Sequence, residues 1–122
     1  MPRIEDIASF IRSSFRSIWA LEVLLHVRRR AADPVSKEQL LLELRASEAI
    51  IASSVTDLVA AGLVLVEEDG RIRYAPTSDE TATIVGDIEA LYRSRPDAVR
   101  RVIVMGTGNL AAFADAFRLR RD

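Results

Sequence analysis

Cysteine is absent from this 122-residue chain, which removes disulfide frameworks, thiolate metal sites and cysteine nucleophiles together. Histidine occurs once, at His26, and Glu22 one helical turn earlier is the single candidate co-ligand nearby. A catalytic or metal role for a histidine needs more partners than that. Aromatic side chains are scarce (four Phe, two Tyr, one Trp), so the core must be built mainly from Leu, Ile, Val and Ala. Trp19, among apolar helix positions, reads as part of it. Apolar runs extend only a few residues, far short of the roughly 20 that span a bilayer. No basic stretch precedes a long apolar run, so neither a signal peptide nor a membrane partner is expected, and a cytoplasmic location is the default.

What is present indicates a folded chain. Hydrophobic residues make up 49% and the net charge is -1, a balance at odds with disorder. No repeat, low-complexity tract or long linker divides residues 1–122, which read as a single domain. The charge is unevenly spread: residues 1–30 carry six basic and three acidic side chains, residues 31–80 four basic and ten acidic, and residues 81–122 seven basic and five acidic.

Chemistry-bearing motifs are thin. Ser53, Ser54 and Thr56 have no histidine or lysine base at a motif spacing, so nucleophilic catalysis is not expected. Gly106-Thr107-Gly108-Asn109 lacks the Lys-Ser/Thr of a phosphate loop and reads as a connector. Glu67-Glu68-Asp69 gives three acids at a turn, too few for a hard-cation cage. No enzyme activity, cofactor, metal or small-molecule substrate is evident.

Periodicity and caps predict a mainly α chain with a small β-hairpin. Ile4, Ile7, Ala8 and Ile11 fall on one helical face over residues 3–13. A stronger helix runs from Ile18 to Arg28-Arg29-Arg30 and stops before Asp33-Pro34. Val35 supplies one extended position. Ser36 with Gln39 is a capping-box pattern opening a helix with Leu40, Leu41 and Leu44. Ser47 caps a further helix through Ala60, whose buried face is expected to be Ile51, Ala52, Val55, Leu58 and Val59. Gly62 ends it by taking the left-handed conformation. Leu63–Val66 and Arg71–Tyr74 read as strands joined by an Asp69-Gly70 tight turn. Ser78 opens a helix with Ile84, Val85, Ile88 and Leu91, Pro96 starts a short one, and Leu110, Phe113, Ala114 and Phe117 form a last apolar stripe.

Residues 17–76 thus run helix, brief strand, helix, sharp turn, helix, hairpin, with only Arg45-Ala46-Ser47 between the second and third helices. Ser36–Leu44, Ser47–Gly62 ending in "DLVAAGLV", and "LVEEDGRIRYAP" together resemble the winged helix-turn-helix (MarR-like) bacterial transcription regulators. The resemblance covers about half the chain. It implies a winged helix-turn-helix core at 17–76; the helices at 3–13 and 79–119 flank it, and their apolar stripes, more than one small core is expected to bury, make them the expected dimer contact. It also implies DNA binding as a homodimer, with Glu48–Ala60 in the major groove and the hairpin as the wing.

The residues themselves supply less cation than that role needs. The outward face of the third helix is expected to be Ala49, Ile50, Ser53, Asp57 and Ala60, with Ser54 and Thr56 at its edges. It carries no Lys, Arg, Asn or Gln to read base edges. Arg45, Arg71 and Arg73, with Arg12 and Arg16 from the flanking helix, are the basic residues placed to meet phosphate. A continuous positive band linking these five arginines favours DNA; an apolar or acidic face favours a protein partner. DNA is the first expectation from the resemblance, and a winged-helix protein–protein interaction module is the alternative. Arg118, Arg120 and Arg121 after the last stripe read as dipole compensation and solubility.

Overall fold

Four serines decide where helices begin in the computed structural model, which describes residues 4–105. After α1 (Ile4–Ser14), Ser17, Ser36, Ser47 and Ser78 open α2 (Ile18–Arg29), α3 (Lys37–Leu44), α4 (Glu48–Ala60) and α5 (Asp79–Ser94). Each hydroxyl accepts a bond from the N–H three residues on, satisfying a donor that the first helical turn leaves without a partner. At Ser36 the box closes both ways, because the Gln39 side-chain oxygen accepts from the Ser36 N–H at 2.9 Å. α6 (Pro96–Met105) starts on proline, whose fixed φ and missing N–H suit a first helical position. Two short strands, β1 (Val64–Val66) and β2 (Ile72–Tyr74), form an antiparallel pair. The described residues are therefore mainly helical with one small sheet. None of their helices is long and apolar enough to cross a membrane. The expected break at Gly106–Asn109 and the stripe through Phe117 lie outside the described residues.

The chain groups into two compact units. Of the described residues, one unit comprises 4–14 and 78–105, in which α1 and α5 each pack on α6. Its buried residues recur at helical spacing: Ile7, Ala8 and Ile11 on α1; Ile84, Val85, Ile88 and Leu91 on α5; Ala98, Val99 and Val102 on α6. Glu89 is buried on α5, with the Arg93 guanidinium of the next turn 3.8 Å away.

The other unit, Phe15–Thr77, carries α2, α3, α4 and the hairpin. α2 is its spine: Ala20, Leu21, Val23, Leu24, Leu25 and Val27 are buried around most of the helix, against α4, β2 and α3. Trp19, expected in the core, is 36% exposed instead. It shares the outer face of α2 with Glu22 and His26, at i+3 and i+7, the one stripe the core leaves open. β2 is the middle of three extended segments, because Ile72 and Val35 exchange N–H···O bonds of 2.8 Å on the side away from β1.

Two left-handed residues set the corners. Arg45 ends α3 at φ 56°, ψ 36° and donates its N–H to the Leu41 carbonyl at 3.0 Å. Gly62 follows α4 at φ 75°; its N–H bonds to Val59 and that of Leu63 to Leu58, both at 3.0 Å, the paired closure of a Schellman motif. The hairpin differs from the tight two-residue turn expected. Val66 pairs with Ile72, Gly70 donates to the Glu67 carbonyl at 2.8 Å, and only Gly70 has positive φ. A two-residue type I′ turn needs positive φ at both central positions, so Asp69 stays right-handed and Gly70 forms the bulge of a three-residue loop.

These corners respond oppositely to substitution. A Cβ on Gly62 would stand 2.7 Å from Thr77 Cγ2 as well as in a left-handed backbone, so Gly62→Ala is expected to cost about 2 kcal/mol. At Arg45 glycine relieves the side-chain clash of the left-handed conformation and gives part of it back as chain entropy, so Arg45→Gly is expected to stabilise by about 0.5 kcal/mol. Urea denaturation of both variants checks the pair of signs.

Candidate interaction surface

The helices on either side of Arg45 meet to form a groove. The short Arg45-Ala46-Ser47 connection sets α3 against α4, and Lys37, Leu41, Glu48, Ala49, Ile51 and Ala52 line a depression of about 300 Å³ between them. Its floor is aliphatic, while Lys37 and Glu48 are exposed at the rim. Neither has a charged partner among the described residues. Beside it Leu42 is 79% exposed. The run Leu40-Leu41-Leu42 already signalled this: consecutive helical residues lie about 100° apart, so one face cannot bury three. Leu40 is buried and Leu41 half-buried; Leu42 is left outside.

The outward face of α4 is turned from the one expected. The buried stripe is Ile51, Ser54, Val55 and Leu58, so Ser54, expected at the edge of a contact face, is 1% exposed. Its hydroxyl finds no hydrogen-bond partner among the described residues. Ala52 and Val59, expected inside, are exposed. Periodicity locates a stripe's centre only to within about one residue, and Ala52 and Ser54, on its two flanks, are too alike in volume to break the tie. Ala49, Ser53, Thr56 and Ala60 are exposed as expected, and Ile50 is half-buried. Asp57 is also half-buried and faces Arg16, whose Nε lies 4.0 Å from Oδ1. The outer surface of α4 is thus alanine, valine and hydroxyl, with Glu48 at its start.

The arginines expected to meet phosphate are largely engaged by acids of the same unit. Arg71 Nε lies 2.8 Å from Asp69 Oδ2, and its backbone N–H donates to Oδ1 at 3.1 Å. Arg73 Nε lies 3.6 Å from Glu67 Oε2. Arg16 faces Asp57. Arg12 is exposed on the last turn of α1, in the other unit. Arg45 is exposed at its corner with no acid beside it among the described residues. Within residues 37–60, α3 and α4 with their connection, Lys37 and Arg45 are the cations, and no acid among the described residues offsets either.

His26 has a partner that sequence proximity did not reveal. Its Nε2 contacts Glu43 Oε2 on α3, and Glu43 Oε1 accepts from Arg30 Nη2 at 2.7 Å. Glu43 lies far from His26 in sequence, whereas the candidate considered there, Glu22, sits on the same helix. The trio ties the end of α2 to α3. Among the described residues no three of His, Cys, Asp and Glu gather as a metal cluster.

The wing carboxylate of Asp69 is held below the ordinary carboxylate pKa, first by the hydrogen bond from the Arg71 backbone N–H and then by the Arg71 guanidinium. Its lowered value means that the interaction is present above the ordinary carboxylate range and is lost as pH falls through the lowered one. Carbon-detected NMR titration should find Asp69 with the lower midpoint of the two when wild type is compared with Arg71→Ala. The variant should rise only part-way to the ordinary value, because the backbone donor stays.

Compared with protein-family models, the curated proteins and the solved structures, the chain matches none of them.

Proposed function

We propose that residues 15–77 are a winged helix-turn-helix module that docks a protein partner through α4 and the α3–α4 groove. One observation carries this reading: the face that would enter a DNA groove is apolar and hydroxyl-bearing, while the wing arginines sit against the wing's own carboxylates. Groove recognition needs donors aimed at base edges and cations against phosphate. Ala49, Ala52 and Ala60 supply neither, and the Ser53 and Thr56 hydroxyls, already donating to the Ile50 and Ala52 carbonyls, are single donors and not bidentate readers. A surface of small apolar side chains rimmed by single charges suits protein contact, where the buried centre of an interface is depleted in charge.

DNA binding is the second reading, favoured by the order of elements and by Lys37 and Arg45, placed at the start and end of α3 without acid partners. Magnitude separates the two. Two phosphate contacts per copy give a slope of log K against log salt of about -1.8, too shallow for tight binding.

Anisotropy titration of a mixed-sequence duplex at low and moderate salt tests the choice. The expected outcome is a complex weaker than about 100 µM even at low salt. Micromolar binding with a steep salt slope, abolished by Lys37→Ala with Arg45→Ala, would overturn the protein reading. In parallel, affinity capture with wild type and with Ala52→Glu should differ in partner recovery by roughly tenfold or more. Ala52 is preferred to Ile50 as the probe because it is exposed, so a charge there leaves the core intact.

A further inference from the structure

We propose that the partner at the α3–α4 groove is a second copy of this chain, docked about a two-fold axis with Leu42 of each copy seated in the groove of the other. This deepens the protein-docking reading and rests on it. The groove supplies an aliphatic floor of Leu41, Ile51, Ala49 and Ala52 within about 300 Å³. Leu42, 79% exposed, follows Leu41 on α3 and projects about 100° round the helix from it, free to reach a facing surface. A surface carrying both a cavity and a projecting leucine can complement itself, which an isologous interface requires.

Charge selects the occupant. Lys37 stands on the α3 wall and Glu48 on the α4 wall, both exposed and neither with a charged partner among the described residues. A rim with one charge of each sign has no net preference for an acidic or a basic partner. A two-fold axis, however, sets Lys37 of one copy opposite Glu48 of the other, and Glu48 opposite Lys37, in one operation. Such pairs contribute little affinity when solvated; their effect is on register, because displaced or parallel docking brings like charges together. Leu42 supplies the affinity. The contact uses residues other than the flanking helices at 3–13 and 79–119, so the two routes to a dimer respond to different substitutions.

The test is sedimentation equilibrium of the full chain from about 1 to about 500 µM, with circular dichroism as the folding control. Wild type is expected to dimerise within that range, and Leu42→Glu to weaken the dimer by roughly tenfold to a hundredfold, the effect of losing one large apolar anchor. Because Leu42 is solvent-facing, this variant keeps its fold. Lys37→Glu and Glu48→Lys should each weaken self-association, and an equimolar mixture of the two should recover it as a heterodimer, since each altered rim then meets its opposite. Pairing of Lys37 with Glu48 inside one chain gives no such recovery on mixing. A wild-type chain monomeric throughout the range overturns the proposal, as does a dimer indifferent to Leu42→Glu or a mixture that fails to recover. If the chain is monomeric yet Ala52→Glu still abolishes capture of another protein, self-pairing falls while docking stands; tight DNA binding removes the docking reading itself.

Discussion

The architecture of residues 15–77 depends on a three-residue corner whose first residue, Arg45, is left-handed. With only Arg45, Ala46 and Ser47 between two helices, the chain must turn sharply without a loop. Arg45 does so by taking a backbone conformation that its Cβ disfavours, and Ser47 at once caps the next helix. Everything functional about this unit is downstream of that turn. It places Lys37 and Leu41 across from Glu48 and Ile51, and so creates the groove. It also fixes which residues of α4 look outward. A longer, relaxed connection would let the helices slide, and neither surface would be defined.

Electrostatics decides what that surface is suited to meet. A count of arginines along the chain credits the wing with two phosphate ligands, but a hairpin juxtaposes residues that the count treats as separate. The turn sets Asp69 beside Arg71, and the strand ends bring Glu67 beside Arg73. Each exposed pair is worth little to stability, yet each offsets the positive charge a phosphate would meet. The same cancellation joins Arg16 to Asp57 and Arg30 to Glu43. What survives is a nearly neutral face with isolated charges at its margin. Such a face gains more from apolar contact and register than from long-range attraction.

Much of the fold was legible because it is written in local chemistry. Ser36 with Gln39, Ser47 and Ser78 mark helix starts through hydrogen bonds spanning three residues, and Gly62 and Pro96 mark corners through backbone sterics; none needs tertiary knowledge. The site was less legible. Whether Ser54 or Ala52 turns inward is a choice between two small residues flanking one stripe, settled by packing and not by period. The partner of His26 lies on another helix, beyond the reach of spacing arguments. Asp69-Gly70 signals a hairpin, but the same pair serves a two-residue turn and a bulged loop, and only the strand register separates them. The face of residues 49–60 was correct in its poverty of cations and wrong in its phase.

The central place of β2 has a mechanical consequence. Ile72 is bonded on one side to the linker that precedes α3, through Val35, and belongs on the other to the ribbon ending at Gly70. The ribbon is therefore a lever with its fulcrum at Ile72. A load applied at the tip is delivered to Val35 and, one residue further on, to the Ser36–Gln39 lock that starts α3. Whatever leans on the hairpin thus also bears on one wall of the groove, through two short hydrogen bonds and no intervening side chain.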